Sequence, residues 1–185
     1  MNFEGGGEKM QIVVCGQHRT GTSMLMRMLQ LGGITVVYTE AWNSPETLAK
    51  YRNPYGMFEL LPPPQVVTGN YKELRPYKVA TLPADVKLIF ANRSLDGMAG
   101  SWAVIDGGPI RNSRLEMIQK IGQNLAKALA GKTYLELDYD ETCADPQSAA
   151  GKIATFLGPD VSFDAAAAAS AVDKSLYINR SAVKQ

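Results

Sequence analysis

The chain has 185 residues, 45% of them hydrophobic and 20% charged, which suits one domain with a sizeable core and leaves little room for two. Its 19 Lys and Arg stand against 18 Asp and Glu, so a net charge of +1 argues against a nucleic-acid face and requires any anion site to be local. Two cysteines, Cys15 and Cys143, exclude a disulfide framework, and no apolar run approaches a membrane span.

Met1 to Lys9 carries Gly5-Gly6-Gly7 and two acids, unlike a signal peptide; the expectation is a cytoplasmic, single-domain protein over 1–185 with 1–9 flexible. Met10 to Cys15 (MQIVVC) is a β-branched apolar run stopped by Gly16 and predicts a buried parallel strand, with Cys15 a small hydrophobe. Leu25, Met28 and Leu29 predict a helix over 21–31, ended by Gly32-Gly33. Ile34 to Tyr38 (ITVVY) reads as a second strand, completing a β-loop-α-β unit. From Thr39 to Pro83 the pattern is irregular: Asn53-Pro54-Tyr55-Gly56 and Thr68-Gly69-Asn70 signal turns, and Pro62-Pro63-Pro64 a rigid break.

Val86 to Ala91 (VKLIFA) predicts a buried strand, and a helix follows over 96–105. Leu115, Ile118, Leu125 and Leu129 predict a helix over 113–130, ended by Gly131, and Thr133 to Leu137 a strand. Asp145 reads as an N-cap with Pro146 at the first helical position of a helix reaching Leu157-Gly158. Ala165 to Ala169 is plain helix propensity. Alternating apolar strands and helices predict an α/β fold, three layers deep, with a mostly parallel central sheet flanked by helices. In such sheets ligands sit at the carboxyl ends of the strands.

The segment after the first strand, Gly16-Gln17-His18-Arg19-Thr20-Gly21-Thr22-Ser23, matches the first six positions of a Walker A loop and predicts a P-loop NTPase-like fold. Glycines let backbone N–H groups converge on an anion, and the helix N-terminus adds about half a positive charge. Gly16, His18, Arg19, Thr20, Gly21, Thr22 and Ser23 are therefore candidate phosphate contacts. Thr22 stands where Walker A has lysine, and Ile89-Phe90-Ala91 runs into Asn92-Arg93 rather than a Walker B aspartate. Magnesium-ATP hydrolysis is poorly matched, and no metal is expected.

His18-Arg19-Thr20-Gly21-Thr22-Ser23 instead resembles the PRSGTT or PKSGTT loop of PAPS-dependent sulfotransferases, with His18 in place of proline. The resemblance implies that Arg19 contacts the 5′-phosphosulfate. Val86 to Trp102 resembles the family's second signature, R-(D/N)-P-x-D-x-x-x-S, in which Arg93 and Ser101 keep the spacing of eight, Leu95 replaces proline and Asp96 lies one place from the usual acid. That implies 3′-phosphate binding by Arg93 and Ser101. Tyr134 to Gly158 resembles the family's strand, Tyr-Glu-Asp-Leu turn and helix, and Asn53 to Glu59 (NPYGMFE) a turn of small bacterial sulfotransferase-like proteins.

The implied cofactor is PAPS, with PAP as product, and the implied partner a small-molecule or glycan acceptor offering a hydroxyl or amine. Thr81 stands where cytosolic members carry their histidine, within Lys78-Val79-Ala80-Thr81-Leu82-Pro83. The base is then Glu59 or Glu40, with His18 a further option, and Lys78 an aid at the leaving group. Asn179-Arg180 is a candidate to fold back on the cofactor. The stretches around Trp42 and Pro62 are candidate interfaces or lids, which leaves a homo-oligomer open. Two other readings stand beside the sulfotransferase: a P-loop nucleotide or small-molecule kinase, and an inactive sulfotransferase-like binding module.

Overall fold

A computed structural model describes residues 10–51, 53, 55–60 and 69–173, with the side chains of Trp42 and Tyr51 outside that description. Its centre is a four-stranded, all-parallel sheet in the order β2-β1-β3-β4, built from β1 (Ile12–Gly16), β2 (Tyr71–Glu73), β3 (Lys87–Asn92) and β4 (Tyr134–Asp138). β1 is central and buried at every residue, as an unbroken apolar run requires when helices cover both faces.

Successive side chains alternate between the two faces. Ile12 and Val14 of β1, with Ile89 and Ala91 of β3, meet a core completed by α1 (Thr22–Leu31), α7 (Pro146–Leu157) and α8 (Ala165–Ala169). Val13 and Cys15, with Leu88, meet the opposite core under α3 (Pro76–Ala80) and α5 (Asn112–Leu129). α1 lies between the sheet and α8, which is why Met24, Leu25, Met26, Met28 and Leu29 are all buried. Each such side chain contributes about 1.5–3 kcal/mol through burial. Burial also pushes the Cys15 thiol up to about 12.

The remaining helices are α2 (Pro45–Tyr51), α4 (Leu95–Asp106) and α6 (Tyr139–Ala144), with a 3-10 turn at Glu40–Asn43. None of the described helices is long and apolar enough to cross a membrane.

Two expectations are corrected. Ile34–Tyr38 is not a strand: only Val36 bridges, in parallel with Asn70, and Val37 is exposed. The strand beside β1 comes instead from the stretch read as irregular. It is short, and two of its three residues, Lys72 and Glu73, are charged yet buried, so it carried no apolar signature. Residues 1–9, Pro62-Pro63-Pro64, Thr68 and Asn179-Arg180 lie outside the described residues.

Candidate functional site

β1 ends at Gly16, paired in register with Ala91 of β3. The chain turns so tightly there that a Cβ at Gly16 would stand 2.7 Å from Thr20 Oγ1, 2.8 Å from Thr22 Cγ2 and 2.9 Å from the Ala91 carbonyl oxygen. Thr20 Oγ1 donates to the Gln17 carbonyl at 2.8 Å and closes the turn. Arg19 holds φ 73°, a left-handed conformation costing a non-glycine residue about 1–2 kcal/mol. Gly21, at φ 91°, is the N-cap of α1; it offers no side-chain cap, and the first turn of α1 contains no acid. The positive end of α1 thus opens at the carboxyl end of the central strand.

Three cations converge on this opening. Arg19 Nε donates to Ser101 Oγ on α4 at 2.6 Å. Burial lowers the Arg19 pKa, and the charge of Arg93 lowers it further. Arg93, between β3 and α4, is 7% exposed; its Nη1 reaches the Arg19 carbonyl at 3.4 Å, and its guanidinium stacks on the Tyr139 ring at 4.2 Å. Asp140 approaches Arg93 Nη2 at 3.7 Å, while Arg93 Nε is buried without a hydrogen-bond partner. Gly97 gives Arg93 its room, since a Cβ there would lie 2.7 Å from that Nε.

The third cation is Lys72 of β2, whose side chain is 2% exposed. Its Nζ donates to Glu59 Oε1 at 2.6 Å, to Ser23 Oγ at 3.2 Å and to the Met57 carbonyl. Burial lowers its pKa against the opposing pull of Glu59. Asn53 Nδ2 also donates to Ser23 Oγ, at 3.2 Å, and to the Gly56 carbonyl, at 2.9 Å, so the Asn-Pro-x-Gly turn is tied to the loop. Glu59 Oε2 is buried with no hydrogen-bond partner.

The structure therefore brings Gly16 to Ser23, Arg93, Ser101 and Glu59 together. The His18 ring is exposed and meets Trp102 edge-on, with centroids 6.4 Å apart. Glu40 is exposed at the start of the 3-10 turn, and the backbone N–H of its neighbour Thr39 donates to the Glu59 carbonyl at 2.9 Å. Lys78 lies on α3, which packs on α5, whereas Lys72 stands on the strand beside β1. Sequence reasoning missed Lys72, Tyr139 and Trp102. For Lys72 the available signal was a lysine between Asn70 and Pro76 in a stretch without apolar periodicity, too little to place it on a strand.

Among the described residues, no group of three or more His, Cys, Asp and Glu side chains is arranged to hold a metal ion. No protein-family model matches the chain, and no curated protein matches it either.

Proposed function

We propose that this chain has a P-loop NTPase-like fold and is a sulfotransferase, binding PAPS at the α1 opening and passing its sulfuryl group to a hydroxyl or amine of a small-molecule or glycan acceptor. One observation carries the reading: Arg19 and the buried Arg93 and Lys72 gather at a helix N-terminus that has no side-chain cap and no acid in its first turn. Positive side chains gathered at the positive end of a helix suit a polyanion.

The residues fit the cofactor. The unpartnered Nε of Arg93 is a donor left over for a phosphate, and a guanidinium fork suits a dianion. Gly16 keeps the loop free of a Cβ, and Gly21 leaves the first-turn N–H groups uncapped. Bound there, PAPS would supply the sulfuryl group and a phosphate leaving group. Glu59 is the preferred base over Glu40, since Lys72 Nζ holds its Oε1 in place at the loop and its Oε2 is left to accept the acceptor's proton. The acceptor oxygen or nitrogen forms the new bond to sulfur as the sulfur–oxygen bond to the phosphate breaks. The electron pair leaves with PAP, whose new charge falls to Arg19, the loop amides and Lys72. Lys72 takes the assisting place expected of Lys78.

Thermal denaturation with ligands tests this. PAP without metal should raise the melting temperature by about 5–10 °C at a hundredfold excess over its Kd. Arg93→Ala should remove most of that shift. Protection only by ATP or GTP with magnesium would sink the sulfotransferase reading and favour a kinase.

A further inference from the structure

We propose that Ser23, Glu59 and the Met57 carbonyl form an oxygen cage for a hard cation, that the ammonium of Lys72 is its resident cation, and that the emptied cage takes a divalent metal. The cage stands on its own contacts; only its effect on a ligand rests on the anion-binding reading above.

Lys72 Nζ has three protons and meets three oxygens: Glu59 Oε1 at 2.6 Å, Ser23 Oγ at 3.2 Å and the Met57 carbonyl. Its side chain is 2% exposed, and a charge so buried needs such partners. The walls of the cage are fixed independently of the lysine. Phe58 is buried and holds φ 48°, a left-handed conformation that non-glycine residues seldom adopt. It turns the chain so that the carbonyl before it and the carboxylate after it face one ammonium. Its ring packs edge-on against Tyr38, with centroids 5.1 Å apart. The Met57 N–H donates to Asn43 Oδ1 at 2.7 Å, and Asn53 Nδ2 donates both to the Gly56 carbonyl and to Ser23 Oγ.

Hydroxyl, carboxylate and carbonyl oxygens are the ligands that magnesium and manganese prefer. In the Walker A pattern the hydroxyl at the place of Ser23 is a magnesium ligand. Here both lone pairs of Ser23 accept, one from Lys72 and one from Asn53, so the hydroxyl offers a ligand only its proton. With its own three protons engaged inside the cage, Lys72 acts on an anion through its charge, and Ser23 carries the hydrogen bond. The internal ammonium thus fills the position of a metal and closes it to one. A single carboxylate makes the emptied cage a weak site, with a Kd for metal on the order of 1 mM.

Manganese and inorganic sulfate are the probes, manganese because it broadens the NMR signals of residues near it. Lys72→Ala empties the cage, whereas Lys72→Met keeps it filled by a neutral chain of similar length. Manganese should broaden the amide signals of Ser23, Met57 and Glu59 in Lys72→Ala, and leave them sharp in the parent protein and in Lys72→Met. At a tenfold excess over its Kd it should raise the melting temperature of Lys72→Ala by about 3–6 °C and that of the other two not at all. Lys72→Ser, a second emptied variant, should behave as Lys72→Ala does. Sulfate affinity of the parent should not change with magnesium. Lys72→Ala should bind sulfate about tenfold more weakly and recover most of that loss when magnesium is added. Emptied variants whose cage signals ignore manganese overturn the proposal. So does broadening at those residues in the parent, a readout that needs neither variant to fold. Absence of sulfate binding by the parent overturns the anion site instead and leaves the manganese result standing.

Discussion

Two corners of the sheet end in helices and treat them in opposite ways. At the end of β4, Asp138 caps α6 by accepting from the N–H groups of Asp140 and Glu141, and Asp145 caps α7 by accepting from Ser148. A cavity of about 270 Å³ lies there, lined in part by Leu137, Glu141 and Lys152, but its two capping carboxylates are already engaged with backbone donors. At the end of β1, α1 starts from a glycine with no capping side chain and no acid in its first turn, and cations gather instead. An acid at a helix start closes the donors that an anion would need. The β4 corner has used its helix N-termini for stability, whereas the β1 corner has kept one for a ligand.

The largest effect should come from closing the β1 corner by volume. Gly16→Ala places a methyl against Thr20, Thr22 and the backbone carbonyl of Ala91, and the last cannot rotate away. Overpacking of this kind costs about 1–3 kcal/mol, or roughly 2–12 °C in melting temperature for a chain of this size. Sulfate protection should vanish with it, because the two threonines are displaced. A variant as stable and as well protected by sulfate as the parent would mean that the turn is looser than its contacts imply.

The matching change at the β4 corner should be smaller and confined to stability. Asp145→Ala removes the acceptor that holds the Ser148 N–H at 3.0 Å and should cost about 0.5–2 kcal/mol in chemical denaturation. The sulfate affinity of the folded protein should not change. Loss of sulfate binding in this variant would show that the corners are coupled through the sheet, and the division drawn above would fail.

Legibility in the sequence follows the same division. Where an element was apolar and periodic, its position could be read. β1, β3, α5 and the Asp145-Pro146 start of α7 lie within a residue or two of expectation, because burial on both faces leaves only apolar choices. β2 was lost because it buries Lys72 and Glu73, each neutralised by a partner: Glu59 for the first and Arg75, at 2.6 Å, for the second. Pairing of that kind is invisible until the chain is folded. ITVVY failed in the other direction: its apolar side chains suit a strand, yet only Val36 bridges.

The candidate site divides likewise. The loop residues stand together because they are consecutive, and Arg93 and Ser101 because eight residues carry the chain from the end of β3 into α4. Their relation was not legible. The resemblance gives Arg19 and Ser101 different phosphates, whereas here they hydrogen-bond to each other, so a bound nucleotide would have to share or divide that contact.

The smallest effect on stability is expected at Asp140, an acid that stands between the two corners. Asp140 opens α6 in the β4 corner, and its carboxylate approaches Arg93 of the β1 corner at 3.7 Å while remaining 39% exposed. An ion pair of that length and exposure contributes little, so Asp140→Asn should change stability by less than about 0.5 kcal/mol. It should nevertheless act on the ligand. A carboxylate about 8 Å from a bound dianion, one guanidinium away, repels it by roughly 1 kcal/mol in water-like dielectric, which is about fivefold in affinity before salt screening. Sulfate titrations at low ionic strength should therefore show tighter binding to the variant, with the gain fading as neutral salt is added. Weaker binding would reverse the assignment: Asp140 would then be orienting Arg93 for the anion rather than competing with it, and the β4 corner would be part of the site.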